Sequence, residues 1–258
     1  MEGSITAYLI VCPLVFLAGF VDSIAGGGGL ISLPAYLLAG LPAHYAMGTN
    51  KTAMSVGTFT ATLKFIRAGQ VDLQAALLSA GASFLGAVAG SYLSLMIPDK
   101  ALKVVMMAVL PAVAVFLLVK RNFGQAPDNA KQRSVKVRIA SALGIGFVIG
   151  CYDGLIGPGT GTFLILAFTA LLGFDLLKSS GCAKVTNLAS NIASMLVFIL
   201  SGKVLFWLAV PAAACAALGN YLGARLAIAG GSKYVRYTVF LVIGLLFVKM
   251  ASDFFYAG

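Results

Sequence analysis

The sequence predicts an all-α polytopic membrane protein with about ten membrane segments, set out as two inverted five-segment repeats that each hold one short or broken helix. Composition, the length of the apolar runs and an internal repeat carry that expectation. Of 258 residues, 60% are hydrophobic and only 10% are charged, and the mean hydropathy is +0.99. One soluble core cannot hide that much apolar surface, so the bilayer has to act as solvent.

Apolar runs between charges and Gly/Pro punctuation fall at 5–25, 30–40, 46–67, 73–97, 101–120, 138–156, 162–173, 181–201, 205–229 and 234–256. A secretory leader would give way to a hydrophilic chain. Here the first run leads into more of the same, which makes it the first membrane segment. A helix needs about 20 residues to cross the hydrocarbon, so the second and seventh runs are too short and are expected as short or broken helices buried among the rest.

The repeat aligns Phe65-Ile66-Arg67-Ala68-Gly69-Gln70-Val71 with Phe198-Ile199-Leu200-Ser201-Gly202-Lys203-Val204. At the same offset Lys51 falls on Lys184, Gly86 on Gly219 and Gly90 on Gly223, while Gly19-Phe20-Val21-Asp22 answers Gly150-Cys151-Tyr152-Asp153. The chain thus divides into an N-terminal membrane repeat at 1–120, a basic linker at 121–137 and a C-terminal membrane repeat at 138–258. An odd number of crossings per half inverts the second copy. With the Lys120–Arg138 connection cytoplasmic, ten crossings also put Lys64, Arg67, Lys178, Arg225, Lys233 and Arg236 inside, in keeping with the positive-inside rule, and both termini outside.

Several function classes are disfavoured. The net charge of +10 is concentrated in that connection and at segment ends, the pattern of a topology signal with some attraction to lipid headgroups, not of a nucleic-acid-binding face. Cys12, Cys151, Cys182 and Cys215 are too far apart for a metal or redox motif, and His44 is the only histidine, so no cofactor or metal is expected. No Gly-Lys-Ser/Thr phosphate loop is present to drive an ATP pump, and no activated serine or histidine base suggests an enzyme.

Chemistry concentrates at two matched places. Gly26-Gly27-Gly28-Gly29 and Gly157-Pro158-Gly159-Thr160-Gly161 each precede a short segment. Glycine brings backbone amides close to a ligand, and a helix N-terminus favours an anion, so the two loops are expected to form an anion pocket; close helix packing is the alternative. Gly81, Gly86, Gly90, Gly219 and Gly223 fit packing better.

Lys51, Ser55, Thr58 and Thr62 share one helical face, as do Lys184, Asn187, Asn191 and Ser194. Each lysine either contacts the anion or snorkels to the interface. Asn50, Thr52, Thr186, Asn187 and Asn191 either bind substrate or bond helix to helix. Asp22 and Asp153 just before the loops would repel an anion, which leaves capping of the following amides or pairing with a coupling proton or cation.

The stretch Gly19–Gly29, then Gly48-Thr49-Asn50-Lys51, then Gly157-Pro158-Gly159-Thr160-Gly161 with Ala183-Lys184-Val185-Thr186-Asn187, resembles the sulfite exporter TauE/SafE family of membrane permeases over almost the whole chain. The resemblance implies transport of sulfite, sulfoacetate or another organosulfonate across the cell membrane. An anion channel and a non-transporting assembly subunit are the alternatives, and self-association is left open.

Overall fold

The structure is a computed structural model that describes residues 5–119 and 134–230. Nine helices make up these residues: α1 (Ile5–Ala25), α2 (Gly29–Leu38), α3 (Ala43–Arg67), α4 (Leu73–Met96), α5 (Asp99–Val119), α6 (Val135–Leu155), α7 (Thr160–Leu172), α8 (Leu176–Leu200) and α9 (Phe206–Gly230). No strand occurs among the described residues. The expected tenth segment and most of the basic linker lie outside them, and α6 begins inside the span assigned to that linker.

The membrane class follows from what these helices expose. Five of them, α1, α4, α6, α8 and α9, are long and apolar enough to cross a bilayer. Leu77, Leu85, Val148, Val210 and Leu218 are each more than 60% exposed, a loss in water that hydrocarbon removes. The protein is a multi-pass membrane protein. α3 is also 25 residues long but carries the polar stripe, and its burial among other helices compensates for its low hydrophobicity.

Two starts differ from the apolar runs. α3 begins at Ala43, after Pro42, and α8 at Leu176, after Asp175, whose carboxylate accepts from the amides of Leu177 and Lys178. His44 and Tyr45 lower the hydropathy of the first extension and Lys178-Ser179-Ser180 interrupt the second, so hydropathy missed both, while Pro before the first turn and an acidic N-cap are ordinary helix-start chemistry. As a result Lys51 and Lys184 lie two turns inside their helices, deeper than the runs implied.

Helix order and length repeat: 21, 10, 25 and 24 residues for α1 to α4, and 21, 13, 25 and 25 for α6 to α9. The close contacts are reciprocal. A methyl at Gly86 or Gly90 of α4 would strike the backbone of Phe147 or Cys151 on α6, and one at Gly219 or Gly223 of α9 would strike Phe16 or Phe20 on α1. Likewise the Asp72 amide donates to Cys182 Sγ (3.3 Å) and the Leu205 amide to Thr49 Oγ1 (3.1 Å), each from the residue just before a long helix. In membranes, where lipid is as apolar as leucine, such backbone proximity is the main source of helix association. Gly81, also expected to pack, has open space around it.

The interior divides accordingly. One apolar cluster joins Ile24 and Leu30 to Phe65, Ile165, Phe168 and Leu176. A second surrounds Tyr36, Met54 and Leu208. Between them run the buried polar faces of α3 and α8, which pack on each other.

Candidate functional site

The polar stripes face inward. Lys51, Ser55, Thr58 and Thr62 on α3 are each no more than 5% exposed, and Lys184, Asn187, Asn191 and Ser194 on α8 no more than 6%. Neither lysine therefore reaches an interface by snorkelling. Each instead meets a carboxylate from the other half. Lys51 Nζ lies 2.6 Å from Asp153 Oδ2, and Lys184 Nζ lies 2.5 Å from Asp22 Oδ2. Taking ions out of water costs several kcal/mol apiece, and these exchanged pairs offset that cost.

The two pairs are held differently. Asp22 also accepts from the Gly28 amide through Oδ1 at 3.4 Å, so it caps the glycine loop while it pairs with Lys184. Asp153 has no such amide among the described residues. Its Oδ2 is close to Lys51 Nζ, but without the alignment of a hydrogen bond. Lys51 donates instead to Asn191 Oδ1 at 3.3 Å, and Asn191 Nδ2 donates to Thr58 Oγ1 at 3.3 Å. A polar relay thus runs from α6 through α3 to α8 and back.

Beside it lies a cavity of about 30 Å³, lined by Asp22, Gly26, Gly29, Leu33, Asn50, Lys51, Met54, Asp153, Gly157, Thr160, Gly161, Asn187 and Asn191. That volume holds one or two waters. The first residues of α2 and α7, Gly29 and Thr160, both stand on its wall, so two helix N-termini start there. Their partial positive charges fall where an anion would benefit. The loops approach each other so closely that a methyl at Gly161 would sit 2.5 Å from the Gly26 carbonyl oxygen, and the Thr162 amide donates to that oxygen at 3.1 Å. Gly26 and Gly157 have φ of +77° and +91°, a region that disfavours side chains. Asn50 Oδ1 is buried without a partner.

Eleven of the residues singled out from the sequence thus meet in one place: Asp22, Gly26, Gly29, Asn50, Lys51, Asp153, Gly157, Thr160, Gly161, Asn187 and Asn191. The others stand behind that wall. Thr52, Ser55 and Thr186 donate to backbone carbonyls of their own helices, at Gly48, Lys51 and Cys182. A methyl at Gly28 would meet the Asp22 side chain, and one at Gly159 would meet Val113 of α5, so neither opens on the cavity. Gly27 and Lys184 do not line it either. Leu33 and Met54 do, although nothing in their apolar character distinguished them. Asn220 of α9, which accepts from Ser23 Oγ at 2.7 Å and donates to the Ala216 carbonyl, went unnoticed because its counterpart in the repeat is Ala87.

A polytopic helical protein with a charged, glycine-walled cavity between its two runs of helices has the build of a membrane transporter. The family model described as sulfite exporter TauE/SafE matches residues 11–250, and the chain belongs to that family. It is 37% identical to "Probable membrane transporter protein ORF9" of Sinorhizobium sp, over 96% of this chain and 92% of that one. It is 34% identical to "Probable membrane transporter protein YfcA" of Escherichia coli K12, over 93% and 88%, and 34% identical to a "Probable membrane transporter protein" of Haemophilus influenzae, over 98% of each. No solved structure gives a significant match.

Proposed function

We propose that this transporter is a secondary carrier for a small sulfur-containing anion, such as sulfite, sulfoacetate or another organosulfonate, bound between two inverted halves at the glycine loops. The observation that carries the reading is the convergence of both glycine loops, both short-helix N-termini, Lys51 and the amides of Asn50, Asn187 and Asn191 on one cavity. Backbone dipoles, amide groups and an ammonium form a donor set for an oxyanion. The family supports sulfur-containing cargo by its description.

In this reading the halves are 1–120 and 138–258, the connection at 121–137 is cytoplasmic, and ten crossings place both termini outside. Reciprocal contacts such as Asp72–Cys182 and Leu205–Thr49 support a two-fold relation. A carrier is favoured over an anion channel because, among the described residues, the cavity has room for little more than water and the Lys51–Asp153 ion pair stands on its wall.

Purified protein should be stabilised by its cargo, and a ligand at a hundred times its Kd adds about 2.7 kcal/mol. A thermal-shift screen against sulfite, sulfate, thiosulfate, taurine, sulfoacetate and small carboxylates should single out one or more sulfur oxyanions. In proteoliposomes the same anion should saturate uptake and exchange with labelled anion trapped inside. Conduction without saturation would instead make the protein a channel, and no response to any anion would remove the site.

A further inference from the structure

Resting on that carrier reading, we infer that the two buried ion pairs have different jobs: an incoming oxyanion replaces Asp153 on Lys51, the displaced carboxylate takes up one proton, and Lys184–Asp22 stays closed. The repeat alone treats Lys51 and Lys184 as equals. Their surroundings do not. Lys51 and Asp153 both line the cavity, and Lys51 Nζ would stand 3.5 Å from a methyl at Gly157, directly beside a loop. Lys184 is 1% exposed and does not line the cavity. Asp22 is fixed from two sides, by a directed bond from Lys184 and by the Gly28 amide, whereas Asp153 touches Lys51 without a directed bond.

Asp153 occupies the ammonium that an anion would need, in the way the substrate itself would. As long as it does, the cavity of about 30 Å³ admits water and not an oxyanion. Moving the carboxylate aside makes room and exposes Lys51, whose other partner, Asn191, can remain in place. Charge then has to balance, because an uncompensated charge in a membrane interior is costly. Lys51 and Asp153 together are neutral. A monovalent anion on Lys51 leaves a carboxylate without its counter-ion, and one proton on Asp153 restores neutrality. No covalent bond other than this O–H forms, and none breaks in the cargo. Anion and proton therefore travel together in a single direction.

Among the described residues, the charged groups that face this pair are few. Lys51 comes from α3, and Asp22 from α1 lines the same cavity with its charge already matched by Lys184. α7 has no titratable side chain, and the part of α4 buried against α6 presents Ser79, Ser83, Ala87 and Ser91. Tyr152 beside Asp153 donates its hydroxyl to the Pro158 carbonyl at 2.6 Å. Asp153 is thus the carboxyl group placed to take the proton.

The test uses full-length protein in weakly buffered detergent, with sulfite and methanesulfonate as probes. Wild type should take up one proton per methanesulfonate bound, read with a pH indicator, and affinity should fall as pH rises, by about tenfold per unit wherever one full proton is taken up. Asp153→Asn should bind methanesulfonate at least tenfold more tightly and take up no proton. Asp22→Asn should melt at lower temperature, with no gain in affinity. If Asp153→Asn does not fold, the proton count on wild type decides alone: binding without proton uptake overturns the proposal. Equal responses of Asp22→Asn and Asp153→Asn would also overturn it, while leaving the anion site intact. Absence of any anion binding by the wild type would instead remove the carrier reading itself, and this inference with it.

Discussion

The helix-packing surfaces of the two halves match one another, and the side chains that α3 and α8 bring to the cavity between them do not. Gly86 and Gly90 on α4 meet α6 as Gly219 and Gly223 on α9 meet α1, and the chain turns with positive φ at Gly26, Gly40 and Gly69 as it does at Gly157, Gly173 and Gly202. At the cavity the counterparts differ: Asn50 answers Ala183, Met54 answers Asn187, and Thr58 answers Asn191. Backbone contact leaves no freedom in side-chain volume, so both halves retain the same solution. In the carrier proposed above, a small sulfur oxyanion such as sulfite would have no two-fold axis to match, and one set of amides beside Lys51 would serve it.

The largest expected effect concerns orientation, the part of this relation that rests on the positive-inside rule. In a protein freed of Cys12, Cys151, Cys182 and Cys215, single cysteines replacing Gln70 and Lys203, which are equivalent in the repeat, should react with impermeant reagent from opposite faces, Gln70 from the cytoplasm. This is an all-or-none outcome. Labelling of both from one face would leave two halves that repeat without inversion.

Next come the matched contacts. Gly86→Val and Gly219→Val each push a branched side chain into the backbone of Phe147 or Phe16. Overpacking costs typically 1–3 kcal/mol and more where backbone is struck, so both should lower the melting temperature in detergent by similar amounts. A large loss in one half and none in the other would break the equivalence drawn above.

The unmatched residues should show smaller and one-sided effects. Exchanging α8 amides for their α3 counterparts, Asn187→Met and Asn191→Thr, should each weaken sulfite or sulfonate binding by up to about tenfold, since a neutral hydrogen bond contributes roughly 0.5–1.5 kcal/mol. Asn191→Thr should have the larger effect because Asn191 also holds Lys51. Affinity that stays within twofold of wild type in both, measured by titration, would detach the amides from the cargo.

Much of this architecture was open to reading in the sequence, and the part that was not has a physical cause. Apolar runs located all nine described helices, and five of these are long and apolar enough for a whole crossing, as a lipid-facing helix must be. The short helices α2 and α7 were legible from the glycines that start them. The exchange of partners was not, since Asp22 and Lys184 are 162 positions apart and a stripe on one helix carries no record of what it faces. One clue was available: Asp22, Lys51, Asp153 and Lys184 stand inside apolar segments at matched positions of the repeat, and charges in that setting are seldom left unmatched.

The smallest predicted effect separates glycines that pack from glycines that merely occur. Gly81 and Gly144 lie within α4 and α6, yet a methyl on either would meet nothing within 4 Å, unlike one at Gly86 or Gly150. Separations of five and nine residues from Gly86 and Gly90 put Gly81 on the far side of α4, away from the face that packs on α6. Alanine restricts the unfolded chain and favours helix, so Gly81→Ala and Gly144→Ala should be neutral or should stabilise by about 0.5–1 kcal/mol. Gly150→Ala, whose methyl would sit 2.5 Å from the Ser83 carbonyl oxygen, should destabilise. Melting temperatures of the three variants check this by sign alone: a loss at Gly81 as large as that at Gly150 would mean that a further element covers this face of α4.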